Sequence, residues 1–328
     1  MASKKTRVAV IGAGNMGRHH VRNYALLPEA ELVGLADINP ESKKLAEEYK
    51  TRYFSDYRQM LDEQKPEAVS VVVPTPLHRE VGEEVISRGI HCLVEKPIAY
   101  SVADADALIA LAKKHKTVFT VGHIERFNPI IRKLKEILDQ KRVGTITSIV
   151  CRRVGGFPTV EPKTDVIIDL AVHDIDIINH LLGKRPTDIF CHGSRTHHSK
   201  EIDSAEMLLG YGNASGFIQA NWLTPVKIRT ISVTGSNGCV EGNYISQELA
   251  YYKHNMKREN GGFSGFVVSM GKLEEELIKV DFEEPLAVEL KTFLRAAEGD
   301  ADAQIVDPED ARAALEIALK ALEGAMQQ

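Results

Sequence analysis

Three side chains in this sequence stand where they could move a proton or hold charge beside a reacting carbon. Lys96, in the run Glu95-Lys96-Pro97, follows directly on His91 to Val94, an apolar stretch that reads as a strand. A lysine at such a place is expensive unless its ammonium has a partner or a task. Asp169 and His173 are four residues apart in a stretch that reads as a helix over 169–182, so both side chains leave one face. That is the arrangement of an imidazole oriented by a carboxylate, and an imidazole titrating near neutrality suits proton transfer. The plainer alternatives are that Asp169 caps its helix and that His173 is an ordinary core histidine.

A reacting centre needs a co-reactant, and the N-terminal stretch Val8 to Gly17 supplies a place for one. Val8 to Ile11 reads as a buried strand, and Gly12, Gly14 and Gly17 after it fit G-x-G-x-x-G. The first glycine allows a tight turn, the second a close backbone approach to a pyrophosphate, and the third close packing of the next helix on its strand. The free amides and dipole of that helix favour negative charge without a lysine. Asp37 ends a second strand, 31–36, at 23 residues beyond Gly14. A carboxylate there accepts from ribose hydroxyls and repels a 2′-phosphate, which points to NAD rather than NADP, and no arginine occurs in 38–43. Asp37 with Asn39-Pro40 also has the composition that opens a helix.

These residues must be held by elements. Strands at 68–73, 91–94 and 117–121 alternate with helices at 77–88 and 101–115, the grammar of right-handed parallel βαβ units in a doubly wound sheet. From about Ile124 the pattern changes. A helix at 129–140 and a strand at 145–153 precede the 169–182 helix. Strands at 188–193, 205–210, 215–221, 227–234, 238–243 and 248–252 then follow without intervening helices, which implies a largely antiparallel second sheet. The glycine-rich 255–270 reads as a loop, and helices at 286–298 and 308–326 close the chain. The expected division is 1–123 for the NAD-binding domain and 124–328 for a second, α+β domain, with the C-terminal helix able to pack back on the first.

Composition narrows the function classes. A chain of 328 residues with 43% hydrophobic content can bury a large core in about two domains. A formal charge of −5 with both signs interspersed gives no basic stripe for nucleic acid. No apolar signal region or membrane-length stretch is seen, so the expected location is cytoplasmic and soluble. The 4 cysteines are far apart and form no C-x-x-C pair, which suits reduced thiols. His19-His20 and His197-His198 point in different directions on any regular element and are read as non-ligands. Asp169, His173 and Asp176 could bind a metal on spacing, but hydride transfer to NAD needs none, and no metal is expected.

The glycine fingerprint, V-P-T-P-L-H at 73–78, V-E-K-P at 94–97 and D-L-A-V-H-D at 169–174, in that order, resemble the glucose-fructose oxidoreductase, inositol dehydrogenase and rhizopine-catabolism (Gfo/Idh/MocA) family across essentially the whole chain. The resemblance implies an N-terminal Rossmann domain and a C-terminal α+β domain whose open, mostly antiparallel sheet carries substrate on one side and a subunit contact on the other. It places Gly12, Gly14, Asn15, Met16, Gly17, Asp37, Pro74, Thr75, His78, Glu95 and Lys96 at the cofactor. It gives Lys96, Asp169 and His173 catalytic and substrate-binding roles in NAD-dependent alcohol oxidation. One of them must take the hydroxyl proton, His173 or, if burial lowers its pKa, Lys96.

V-G-H-I-E-R-F-N-P at 121–129 is similar to the subgroup that oxidises the 3-hydroxyl of UDP-N-acetylglucosamine to a ketone for a partner aminotransferase. That likeness puts His123, Arg126 and Asn128 near substrate, and Arg152 and Arg153 could serve its diphosphate. A homo-oligomer, dimer or tetramer, is implied as well. Free sugars and inositol-type polyols remain as alternative substrates. A non-catalytic NAD-binding sensor is the alternative of a different class, and it would not need Lys96, Asp169 and His173.

Overall fold

Short β-branched runs alternating with amphipathic helices dictate the architecture of the first of two units, residues 1–127 with 283–316; the second comprises 128–282 with 317–328. The computed structural model describes residues 5–159, 162, 164–197, 200–254 and 274–326. In the first unit the strands are β1 Thr6–Ile11, β2 Ala30–Ala36, β3 Tyr53–Phe54, β4 Ala68–Val71, β5 His91–Glu95 and β6 Phe119–Gly122. They form one parallel sheet in the order β3-β2-β1-β4-β5-β6. The order reverses beside β1, so the carboxyl ends of β1 and β4 flank the crevice where a doubly wound sheet binds its ligand.

The helices of this unit are α1 Gly17–Leu26, α2 Ser42–Glu48, α3 Tyr57–Gln64, α4 His78–Ser87 and α5 Val102–His115. Asp56 and Ser101 begin α3 and α5 by accepting from the backbone N–H of Arg58 and Asp104, which satisfies amides the helix itself leaves open.

In the second unit, α6 Pro129–Asp139 and β7 Ile146–Val154 are followed by α7 Val172–Leu182 and then by β8 Asp188–Ser194, β9 Ser204–Gly210, β10 Ser215–Asn221, β11 Ile228–Gly235, β12 Gly238–Asn243, β13 Glu248–Lys253 and β14 Glu274–Ile278. The sheet order is β14-β13-β12-β11-β7-β10-β9-β8. Only β7 and β10 run parallel, and every other pair is antiparallel. Helices α6 and α7 pack on one face of this sheet.

The chain then returns. The helix α8 Pro285–Ala297 belongs to the first unit, where Leu286, Leu290, Phe293 and Leu294 join Val8, Val10, Val21, Tyr24 and Leu35 in one core. Burying a side chain such as Phe293 contributes roughly 1.5–3 kcal/mol, enough to fix where the helix goes. The last helix, α9 Pro308–Met326, has its first half in the first unit and its remainder in the second. The expected boundary between 123 and 124 therefore stands four residues before the observed division, and 283–316 lie in the first unit rather than in a continuous second domain.

Two further differences have local causes. Residues 167–171 form a π-helical turn ahead of α7, where one α-helix over 169–182 was expected. Periodicity cannot reveal a one-turn π-bulge, a feature common at functional sites. The strand β14 was not expected, because Glu274-Glu275-Glu276 has low strand propensity. Tertiary partners override that: Tyr252 Oη donates to Glu275 at 3.2 Å and Arg142 to Glu276 at 2.6 Å. Charge on such an edge also discourages a further strand from adding. The stretch 255–270, expected as a loop, lies outside the described residues.

Glu289 of α8 is 2% exposed, and neither carboxylate oxygen has a hydrogen-bond partner among the described residues. Burial, with the Glu95 charge added, pushes its pKa well above the ordinary carboxylic range, so the folded state holds its proton. A carboxyl raised by folding contributes stability that is complete below its unfolded pKa and is lost as pH rises towards the folded value. Glu289→Gln is therefore expected to melt with the wild type at about pH 4 and above it, by several degrees, at about pH 8. Parallel melting curves across that range would show that Glu289 is not held protonated.

Candidate active site

At the end of β1 the backbone turns at Gly12, whose φ is +99° and where a Cβ would lie 2.3 Å from the Val72 carbonyl oxygen. A Cβ on Gly17 would come to 2.0 Å from the Gly12 oxygen, so α1 can pack this closely only with glycine there. Gly14 differs: nothing lies within 4 Å of where its Cβ would be. Exposed Gly14 and Asn15 thus border an open cradle ahead of the α1 N-terminus, a place that suits a diphosphate.

Asp37 links this loop to the end of β2. Its Oδ2 accepts from the Ala13 N–H at 2.5 Å and its Oδ1 from the Asn39 N–H at 2.7 Å. Each oxygen keeps a lone pair for a further donor, so the turn-forming role of Asp37 is compatible with the nucleotide-binding one. Beside it a cleft of about 490 Å³ is lined by Ala13, Arg18, Asn39, Ser42 and Lys44, among others. Arg18 and Lys44 escaped a reading confined to the residues just after Asp37 because they come from other turns of the fold. Lys44 is ion-paired with Glu41.

The second wall is built at the end of β5. Glu95 is 6% exposed; its Oε1 accepts from His20 Nε2 at 2.9 Å and its Oε2 from the Lys96 backbone N–H at 3.2 Å. Burial alone would raise the Glu95 pKa, but the hydrogen bond and charge of His20, with the charge and amide of Lys96, hold it below the usual range. A Cβ on Gly122 would sit 2.9 Å from this carboxyl, so β6 carries glycine there to make room.

His78 lies fully inside, its two ring nitrogens each 2.9 Å from a carbonyl oxygen, those of Pro97 and Val73. Burial lowers its pKa, and a neutral ring donates to one of the two. The side chains of Glu95 and His78, expected at the cofactor, are therefore engaged by protein groups and shape the site from behind. Pro74 and Thr75 begin the 3₁₀ turn Thr75–Leu77 that leads into α4, and Lys96 itself is half-buried.

In the second unit, half-buried Asp169 lies in the π-helical turn and half-buried His173 in the first turn of α7. Arg153, expected as a diphosphate ligand, is engaged here by protein groups. It is 4% exposed, and its Nε and Nη2 donate to the two carboxylate oxygens of Asp174, both at 2.9 Å, with the guanidinium 5.1 Å from the Tyr244 ring centroid. Strand alternation sends Arg152 to the opposite face, where it donates to Gln219 at 2.8 Å. Asn128 is likewise engaged: at 3% exposure it caps α6 by accepting from the Ile130 N–H, while its Nδ2 donates to the Tyr244 carbonyl. Arg126 pairs with Asp310 at 3.0 Å, and His123 is buried. The partners that fix these groups, His20, Asp174 and Tyr244, carry no signal in the local sequence.

Comparison with known proteins agrees with this geometry. The family model described as an oxidoreductase family with an NAD-binding Rossmann fold matches residues 6–123, and its GFO/IDH/MocA C-terminal domain counterpart matches 131–241. The chain is 30% identical over 292 residues to the UDP-N-acetylglucosamine 3-dehydrogenase of Acidithiobacillus ferrooxidans, covering 88% of each. It is 25% identical over 222 residues to the myo-inositol 2-dehydrogenase of Thermotoga maritima, covering 62% of this chain and 65% of that one. A solved structure of the Acidithiobacillus enzyme superposes with a TM-score of 0.86 over 98% of both chains, at 27% identity.

The Arg153–Asp174 pair anchors the first turn of α7, which carries His173, to β7. Removing the Asp174 carboxylate takes two charge-assisted hydrogen bonds from a buried guanidinium, so Asp174→Ala should lose about 3–5 kcal/mol of stability. The double variant Arg153→Leu with Asp174→Leu removes both charges and should be less destabilised than Asp174→Ala. Chemical denaturation reads both, and a double variant as unstable as the single would rule out the buried charge left by Asp174→Ala as the cause.

Proposed function

Because this chain belongs to the GFO/IDH/MocA oxidoreductase family, with an NAD-binding Rossmann domain at its N-terminus, we propose that it oxidises the 3-hydroxyl of UDP-N-acetylglucosamine to the ketone. The observation that carries this reading is the 30% identity to a UDP-N-acetylglucosamine 3-dehydrogenase over 88% of both chains, together with Lys96, Asp169 and His173 in the sequence. NAD, when bound, supplies the acceptor for the hydride from C3. Gly12, Gly14 and Gly17 bring backbone to its diphosphate, and Asp37 receives its adenosine ribose. His173 accepts the hydroxyl proton, Asp169 selects its tautomer and orientation, and Lys96 stabilises the developing alkoxide. His123 belongs to the sugar-binding wall in this reading, and a partner aminotransferase consumes the ketone.

The proposal extends to assembly and location. Phe190, Leu208, Phe217 and Val150 are 65%, 46%, 40% and 41% exposed. Strand register puts them side by side across β8, β9, β10 and β7. A contiguous apolar row on an open sheet face fits a second copy of the chain. The 4 free cysteines suit a reducing, cytoplasmic compartment, and no helix among the described residues is long and apolar enough to cross a membrane.

Incubation with NAD and UDP-N-acetylglucosamine should yield NADH absorbance, more when an aminotransferase removes the ketone; turnover of inositol instead, with none of the nucleotide sugar, would move the assignment to free polyols. His173→Ala should lower kcat by about 10²–10⁴ with NAD affinity nearly unchanged, and should abolish the acid limb of kcat/KM. A limb that survives in His173→Ala and vanishes in Lys96→Ala would make Lys96 the base. For the assembly, Phe217→Asp should shift the light-scattering mass to that of a monomer, and an unaltered mass would place the subunit contact elsewhere.

A further inference from the structure

Beneath Lys96 lie three ionisable groups that the proposed reaction does not use. His20 of α1 is completely buried; its Nε2 faces Glu95, and its Nδ1 has no hydrogen-bond partner among the described residues. Nε2 therefore carries a proton and donates it to the Glu95 carboxylate. Glu289 of α8 is the third, with both oxygens buried and unpartnered among the described residues, and it feels the Glu95 charge. Two carboxyls this close in an apolar interior do not both ionise. Glu95 has a donor at each oxygen and Glu289 has none, so the charge resides on Glu95.

Among the described residues, the groups packed around the two carboxyls add no second anion. From α1, Tyr24 also faces Glu289, and its hydroxyl bonds Ser70 at 2.8 Å; burial pushes its pKa far up, so it stays neutral. From α4, the ring of His78 lies within reach of the Glu95 charge, and burial favours its neutral form. Gly122 of β6 offers only space. The charges acting on Glu95 are those of His20 and the adjoining Lys96.

We propose that His20, Glu95 and Glu289 form a buried cluster whose two carboxyls hold one negative charge between them, in which Glu95 is a positioning residue that fixes the backbone and the charge state of Lys96 and His20 keeps Glu95 anionic. The cluster joins the helix whose N-terminus meets the diphosphate to the turn that carries the lysine. A counter-charge in the protein interior favours the ammonium form, which is the form able to stabilise an alkoxide. This purpose rests on the role proposed for Lys96, but the cluster can be tested with neither NAD nor sugar present.

The lysines of the full chain are reductively methylated with ¹³C-formaldehyde and titrated by NMR, and the Lys96 resonance is identified by its loss in Lys96→Arg. Glu95→Gln, which keeps the shape and removes the charge, should lower the Lys96 midpoint by about one pH unit or more. His20→Ala should lower it in the same direction, because Glu95 loses its donor, and His20→Gln should restore most of the difference. Glu289→Gln exchanges one neutral group for another and should move the midpoint by less than a third as much. If Glu95→Gln does not fold, the His20→Ala and His20→Gln pair makes the same comparison. A Lys96 midpoint that stays at the wild-type value in Glu95→Gln and His20→Ala overturns the proposal, as does a Glu289→Gln shift equal to that of Glu95→Gln, which would mean that the cluster holds two charges. Turnover of a different sugar, or of none, leaves the titration readable.

Discussion

The closeness of backbone to backbone around Gly12 is the constraint from which the first unit follows. A side chain at Gly12 would overlap the Val72 carbonyl, and one at Gly17 would overlap the Gly12 carbonyl. With hydrogen in both places, β1 passes into α1 within a few residues, and the Arg18 amide donates back to the Gly14 carbonyl. Asp37 then closes the arrangement by accepting from the Ala13 amide, which ties the end of β2 to the loop. Every further element of the unit is placed relative to this turn, because the parallel sheet is laid down outwards from β1 on both sides.

Burial of charge is the second theme, and each unit handles it by pairing. In the first unit Glu95 is held by His20 and by a backbone amide, and the glycine at 122 keeps space for it. In the second, Arg153 and Asp174 meet in a two-pronged pair. Neither pair touches solvent appreciably, and each lies next in sequence to a residue proposed for chemistry, Lys96 in one case and His173 in the other. Pairs of this kind add little net stability, since desolvation offsets most of their attraction. Their effect is geometric: a buried, directional partner permits one placement of the neighbouring turn.

Glu289 illustrates the opposite condition, a buried carboxyl with no donor among the described residues. Its place in α8 is set by apolar neighbours, Leu286, Leu290 and Phe293, which bring the helix against α1 and carry the carboxyl inside with them. Such a group survives by remaining protonated, and its neutrality leaves the negative charge of that region to Glu95.

What the sequence determined by itself was everything whose cause is local. The glycine spacing, the apolar runs of β1, β4 and β5, the Pro74-Thr75-Pro76 stop, and the period of α5, α6 and α9 each depend on residues within a turn or two, so the doubly wound unit and the change to consecutive strands after Ile124 were legible. The protein partners of Arg153 and Asn128 were not, since Asp174 lies 21 residues from Arg153 and Tyr244 116 from Asn128. The same holds for His20 and Glu95, 75 residues apart, for the acidic strand β14, and for the return of α8 to the first unit. Those were decided by tertiary structure, because the free energy of a buried polar group or of an edge strand belongs to the pair it forms, and the sequence spells out only one member at a time.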